Sequence, residues 1–291
     1  WSILQNKMRR LCKPSFQYLQ NENLLLYKRI DMNIINFLKK IVNPLRKFAG
    51  RFVIPPANYD ITFHSPISIA AEFVCAECIE GDYLEFGVFK GESFIEAYKR
   101  LWHSKRKWAF KEHSGVAYSN NKSRNISNKP VIDRRFIAFD SFEGLPELTD
   151  IDLSGEGGRF EKGRYDCTED NFLKNLANNG VDINEVITVP GYYEDSLTQG
   201  LKDKLNIQKS AIVMIDCDLY SSTKSVLEFI TNLIGDGTIL IFDDWFSYKG
   251  SPNHGEQKAC NEWLEKNTHI HLIPYVRLGT AQQSFIVNIN K

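Results

Sequence analysis

The sequence predicts an α/β fold, a doubly wound and mostly parallel seven-stranded sheet that ends in a C-terminal antiparallel hairpin. Three observations carry this reading. Apolar strand-length runs alternate with segments of helical spacing from about residue 66 onward. Several of those runs end in an acid, as "RRFIAFD", "AIVMID" and "GTILIFDD" do, at the edge where open parallel sheets bind ligands. The tail breaks the rhythm with two alternating stretches, "HIHLIPYV" and "QSFIVNI", close enough in sequence to pair as a hairpin.

Residues 1–58 read as an N-terminal extension and helical segment, and 59–291 as the one folded domain, because no Pro/Gly/Ser-rich linker divides two apolar regions. "MNIINFLKKIVNPLRKFAGRF" from Met32 looks like an ordinary N-terminal segment, so residues 1–31 are expected to contribute little to function. The segment Met32–Phe52 is basic and partly amphipathic. It could lie on an anionic membrane surface, but Pro44 interrupts its helix, and a helix docked on the domain explains the same pattern. A homo-oligomer contact through this segment is also compatible with the sequence.

The elements follow in order. "SPISIAAEFVCAECIEG" has helical apolar spacing and a start signal at Ser65-Pro66, with proline suited to the first turn. "DYLEFGVFKGES" is a strand, a glycine turn and a helix start, and the helix runs through "FIEAYKRLW". Residues 103–135 are polar and basic and are expected to form an inserted surface loop. "RRFIAFD" supplies the second strand. Residues Leu145–Asp166, rich in glycine and acids, are too long for a plain connection and are expected to act as a lid. The rhythm resumes with a helix at Thr168–Asn178, the strand "EVITVPG", a helix around Leu201, the strand "AIVMID", the helix "TKSVLEFITNLI" and the strand "GTILIFDD".

Composition narrows the function. Lys plus Arg and Asp plus Glu number 36 each in 291 residues, so nothing favours a polyanion, and nucleic acid is not expected as a partner. Six scattered cysteines do not make a disulfide framework, which points to a reducing, cytoplasmic setting. No run approaches the ~20 apolar residues of a membrane span, and no signal-peptide pattern opens the chain, so a soluble protein is expected.

The chemistry should sit at the strand ends. Gly87 and Gly91 allow close backbone approach, and the helix after them offers free N–H groups. The spacing is G-x-x-x-G, not that of a dinucleotide site, and Glu85 on the preceding strand would meet a pyrophosphate badly. It would suit a ligand with a positive amino group, such as the methionine end of S-adenosylmethionine. The plainer reading is an ordinary βα turn. Asp140 falls where an acid holds ribose hydroxyls in doubly wound folds, although an Asp capping its own turn at Ser141 explains it too. Asp216, Asp243 and Asp244 end two strands that would bring three carboxylates to one edge, and oxygen ligands so packed suit Mg²⁺, Mn²⁺ or Ca²⁺. Capping roles for Asp218 and Asp244 are the alternative. His254, in the loop after Asp244, could serve as a base, since an imidazole takes a proton near neutral pH. Cys75 with Cys78, and His269 with His271, lack further ligands nearby and read as structural.

Taken together, "YLEFGVFKGES", "FIAFDSFEGLPE", "VPGYYEDSL", "MIDCDLYSSTKSVLEFI" and "GTILIFDDW" resemble, in order, the macrocin-type O-methyltransferases of the tylosin and mycinamicin pathways, over about residues 60–265. The resemblance implies a class I, Rossmann-like methyltransferase domain over 59–291 that uses S-adenosylmethionine, with Mg²⁺ (or Mn²⁺) beside the acceptor. It implies that Glu85 and Gly87 line the methionine part of the cofactor and Asp140 holds the ribose. Phe86, Gly91, Ser93, Ser141 and Gly191 lie in the matched segments and join the expected cofactor set. Asp216, Asp243 and Asp244 become metal ligands, with Asp216, Asp218 and His254 as the catalytic candidates. The expected function is metal-dependent methylation of a hydroxyl on a sugar, glycan or glycosylated small molecule. The basic insert 103–135, the N-terminal extension and the loop after Trp245 do not match the pattern. A metal-dependent glycosyltransferase reading "DCD" as a D-x-D motif, and a non-catalytic methyltransferase-like module, are the alternatives.

Overall fold

The computed structural model describes residues 65–113, 133–153 and 160–290, all within a compact unit, Thr62–Lys291. The N-terminal extension with the helical segment expected at 32–52, most of the insert 103–135 and the middle of the Leu145–Asp166 segment lie outside the described residues.

Helix α1 (Pro66–Ala76) leads into strand β1 (Asp82–Phe86) and helix α2 (Glu92–His113). Strand β2 (Phe136–Asp140) is followed by a one-turn helix, α3 (Asp150–Leu153), then α4 (Glu169–Asn178) and β3 (Val186–Pro190). Two short helices, α5 (Tyr193–Ser196) and α6 (Gln199–Leu205), precede β4 (Ser210–Ile215), α7 (Tyr220–Ile230) and β5 (Ile239–Phe242). Helix α8 (Gly255–Lys266) and strands β6 (Ile270–Leu278) and β7 (Gln282–Ile289) complete the order.

The seven strands run β3-β2-β1-β4-β5-β7-β6. The first five are parallel; β7 pairs antiparallel with β5, and β6 closes the edge antiparallel to β7. The predicted sheet and terminal hairpin are both present.

The strands are buried on both faces, and alternate residues feed two cores. Tyr83, Ala138, Ile212, Met214 and Ile241 face a layer with α1, α2 and α4, where Phe94 and Phe172 are fully buried. Leu84, Phe86, Ile137, Phe139, Val213 and Phe242 face the layer that includes α7 and α8. Burying each such side chain stabilises the fold by roughly 1.5–3 kcal/mol. Ser65 caps α1 as expected, its Oγ accepting the Ser68 N–H at 3.0 Å.

Two expectations change. The loop expected from residue 103 begins as helix, since α2 continues to His113. "HSKRKWAFKEH" contains no glycine or proline and is rich in good helix formers, so polarity alone was a poor breaker signal. At the far end of that insert Arg134 donates to the carbonyls of Gly81 (2.8 Å) and Ile79 (2.5 Å), while Arg135 pairs with Asp82 at 2.5 Å. These two arginines brace the start of β1 rather than serve a surface loop.

The Leu145–Asp166 segment is anchored where it is described. Leu145 and Phe160 bury themselves with Leu219 and Tyr248. Asp152, also buried, accepts from the Ser221 hydroxyl of α7 at 2.9 Å. Among the described residues no helix is long and apolar enough to cross a membrane.

Candidate functional site

Parallel strands aim their carboxyl ends the same way, so the loops after β1, β2, β4 and β5 meet at one edge. A cavity of about 300 Å³ opens there, lined by Gly87, Asp140, Ser141, Tyr192, Tyr193, Asp216, Asp218, Asp243 and Asp244 among others. The lid-like segment contributes Leu145, Pro146 and Tyr165 to its wall.

The glycine turn after β1 is held by backbone. Gly87 has φ +85°, and its N–H donates to Phe139 O at 2.9 Å. A Cβ there would stand 1.8 Å from the Asp216 carbonyl oxygen, so β1 and β4 leave no room for a side chain. Around the same cavity Phe89 (φ +43°), Phe142 (φ +58°) and Asp218 (φ +60°) hold left-handed backbone without being glycine. Such conformations cost of order 1–3 kcal/mol each and concentrate at ligand sites.

Asp140 fixes this turn. One carboxylate oxygen accepts the N–H groups of Val88 (2.7 Å) and Phe89 (3.2 Å), and the other that of Phe142 (2.8 Å). The capping reading and the ligand reading of Asp140 therefore coexist in one side chain. A carboxylate offers about four acceptor positions, so roughly one remains for a ligand. Ser141 turns its hydroxyl to Gly144 O at 2.7 Å.

Asp216 follows β4 and Asp243 follows β5; their backbone N–H groups donate to Phe86 O and Ile215 O at 2.9 and 3.0 Å, extending the ladder to the site. Oxygen atoms of Asp216, Asp243 and Asp244 all lie within 4.8 Å of one another. Burial first, then the Asp243 and Asp218 charges, pushes the Asp216 carboxyl well above the usual carboxylate range. Burial likewise raises Asp243, against the opposing effect of its hydrogen bond from Gln282. Three carboxylates gathered this closely repel one another unless a cation joins them, and an all-oxygen donor set fits Mg²⁺ or Mn²⁺.

Other expected residues are placed differently. Glu85 is fully buried on the α2 side of β1, where it accepts from the Tyr83 hydroxyl and from Ser93 Oγ at 2.5 Å. Burial lifts its carboxyl to about 8. It does not line the cavity, and Ser93 donates to it. Phe86 stacks on Phe139 with ring centroids 4.4 Å apart, so its side chain belongs to the core and not to the cofactor set. Gly91 and Ser93 line a second cavity of about 440 Å³ that shares Asp216 and Asp243 with the first. Gly191 (φ +129°) is not among the lining residues but bonds to Asp140 O at 3.0 Å and delivers Tyr192 and Tyr193, which are. His254 stacks on Tyr248 with an interplanar angle of 14° and bonds to Ser251 Oγ at 3.1 Å, away from the cavity lining. His254 is the N-cap of α8, and at Gly255, which follows it, φ is +52° and a Cβ would meet the Tyr248 ring at 2.7 Å.

Two residues of the site were not read from the sequence. Gln282, at the start of β7, donates to Asp243 Oδ1, so the terminal hairpin reaches the acid cluster. Glu256, in the first turn of α8, is 1% exposed and accepts the Asp244 backbone N–H at 3.0 Å. Burial, and then Asp244 and Asp243, push its carboxyl well above the usual range. The signal available was an acid opening the helix that follows "DDW".

Comparison with known proteins agrees with the resemblance. Residues 122–266 match the family model described as macrocin-O-methyltransferase. A curated Streptomyces olivaceus protein, 8-demethyl-8-(2,3-dimethoxy-alpha-L-rhamnosyl)-tetracenomycin-C 4'-O-methyltransferase, is 26% identical over 184 residues. The match covers 62% of this chain and 58% of that relative's length, so this chain spans little more than half of it. Among solved structures, the O-methyltransferase NovP superposes with a TM-score of 0.53 at 20% identity, covering 77% of this chain and 78% of NovP. CalS11, a calicheamicin methyltransferase, gives 0.52 at 20% identity, covering 93% of this chain and 98% of its own. The fold is that of the class I O-methyltransferases, and the family resemblance read from the sequence is borne out.

Proposed function

We infer that this chain, whose sequence is of the macrocin-O-methyltransferase type, transfers a methyl group from S-adenosylmethionine to a hydroxyl of a glycosylated small molecule, with the help of a divalent cation. The observation that carries this reading is the convergence of the Asp216, Asp243 and Asp244 carboxylates within 4.8 Å, in a cavity that Gly87 and Asp140 also line. The curated relative is named as a 4'-O-methyltransferase of a rhamnosyl-tetracenomycin, so a deoxysugar glycoside is the proposed acceptor class.

When bound, S-adenosylmethionine supplies an electrophilic methyl group on sulfonium, and Mg²⁺ supplies Lewis acidity that lowers the pKa of a neighbouring hydroxyl. The Gly87 turn lines the part of the cavity we assign to the methionine end, and the remaining acceptor position on Asp140 takes a ribose hydroxyl. Asp216, Asp243 and Asp244 hold the cation. Asp218 shares their cavity, so we assign it, in place of His254, to accept the acceptor's proton. Tyr165 and the Leu145–Pro146 wall exclude water, and the cavity contributes rate mainly by holding donor and acceptor in line. Cys75, Cys78, Cys167, Cys217 and Cys260 are free thiols, which suits the cytoplasmic setting we propose.

Incubating the full chain with methyl-labelled S-adenosylmethionine and a panel of rhamnosyl glycosides, with Mg²⁺ and again with chelator, tests the reading. Labelled glycoside is expected only with Mg²⁺. Transfer to no glycoside or glycan under either condition would overturn it.

A further inference from the structure

Resting on the cation site just proposed, one buried group remains without a task. Glu256 lies beside the three aspartates but is not of their set, because the atoms that gather within 4.8 Å come from Asp216, Asp243 and Asp244 alone. One carboxylate oxygen, Oε2, accepts the Asp244 N–H at 3.0 Å. The other, Oε1, is buried and has no hydrogen-bond partner. Nor does a cation of the described residues answer it: Lys258, two residues along α8, is engaged with Glu262 at 2.5 Å. An orphaned carboxylate oxygen in the interior is costly, so a folded chain keeps one only where something offsets it.

We propose that Glu256 is a positioning residue for the divalent cation, fixing the Asp244 backbone through Oε2 so that the Asp244 carboxylate is held beside those of Asp216 and Asp243. A fixed backbone holds Asp244 in the geometry that its Ser247 contact (2.5 Å, Oγ to Oδ1) also selects. Groups outside a metal's ligand set that orient its ligands typically change affinity by 10- to 100-fold when replaced.

The test is titration calorimetry of the full chain with MnCl₂, and separately with S-adenosylhomocysteine, on the native protein, Glu256→Gln and Glu256→Asp. Glutamine keeps the shape and can still accept the Asp244 N–H, whereas aspartate is one methylene shorter and draws its acceptor back from it. The expected result is Mn²⁺ binding weakened about tenfold in Glu256→Asp and within about threefold of native in Glu256→Gln. S-adenosylhomocysteine affinity should be unchanged in both. Equal weakening in the two variants overturns the positioning role. Equal Mn²⁺ affinity in native protein and variants overturns the inference while leaving the cation site standing. Absence of Mn²⁺ binding to the native chain overturns the cation site and the inference with it. A drop in melting temperature in chelator without change in Mn²⁺ affinity assigns Glu256 a purely structural role.

Discussion

Asp243→Asn is expected to lower methyl transfer to a glycoside roughly 10³-fold, about 4 kcal/mol in transition-state terms, while S-adenosylhomocysteine still binds within a few-fold of native. Asparagine fills the same space and keeps an acceptor oxygen for Gln282, so the local fold should survive. What it removes is one of three charges gathered within 4.8 Å. Burial already works against ionisation of Asp216 and Asp243, so losing one charge changes the balance on which cation binding depends. The measurement is kcat/KM for the variant at saturating Mg²⁺ beside the binding constant for the product cofactor. Activity within tenfold of native would mean that the cluster is not part of the chemistry.

Gly87→Ala should cost at least about 3 kcal/mol of folding stability, read from urea unfolding. The backbone is left-handed at φ +85°, and the added methyl would meet the Asp216 carbonyl oxygen at 1.8 Å and its carbon at 2.8 Å. Neither atom can retreat freely, because the Asp216 N–H is tied to Phe86 O at 2.9 Å. Gly163→Ala supplies the contrast: φ is +74° but nothing lies within 4 Å, so only backbone strain of about 1 kcal/mol is expected. Similar losses in the two variants would show that strain, and not the contact between β1 and β4, governs the turn.

These arguments show which parts of the molecule could be read in advance. Strand and helix rhythm is a local property, so "AIVMID" and "GTILIFDD" gave both their elements and the edge at which their acids meet. Adjacency of β4 and β5 then followed from parallel topology. Side-chain direction was less legible. Glu85 and Gly87 are two residues apart, yet Glu85 lies under α2 and Gly87 lines the cavity, because the chain leaves the pleat after Phe86. Contacts from distant elements were not legible at all. Gln282 reaches Asp243 across 39 positions, and Glu256 finds Asp244 only because the turn before α8 folds back over β5. His254 was misplaced for a related reason: nearness in sequence to Asp244 says nothing about where Tyr248 will hold its ring.

The measurement that tests the account most directly is calorimetric titration of the full chain with S-adenosylmethionine, in Mg²⁺ and again after chelation. The account predicts micromolar binding in Mg²⁺ and a changed affinity or enthalpy once the metal is removed, since Asp216 and Asp243 line the cavity that the cofactor enters. No binding under either condition, with a nucleotide diphosphate sugar binding in Mn²⁺ instead, would contradict it and give "DCD" to a glycosyltransferase.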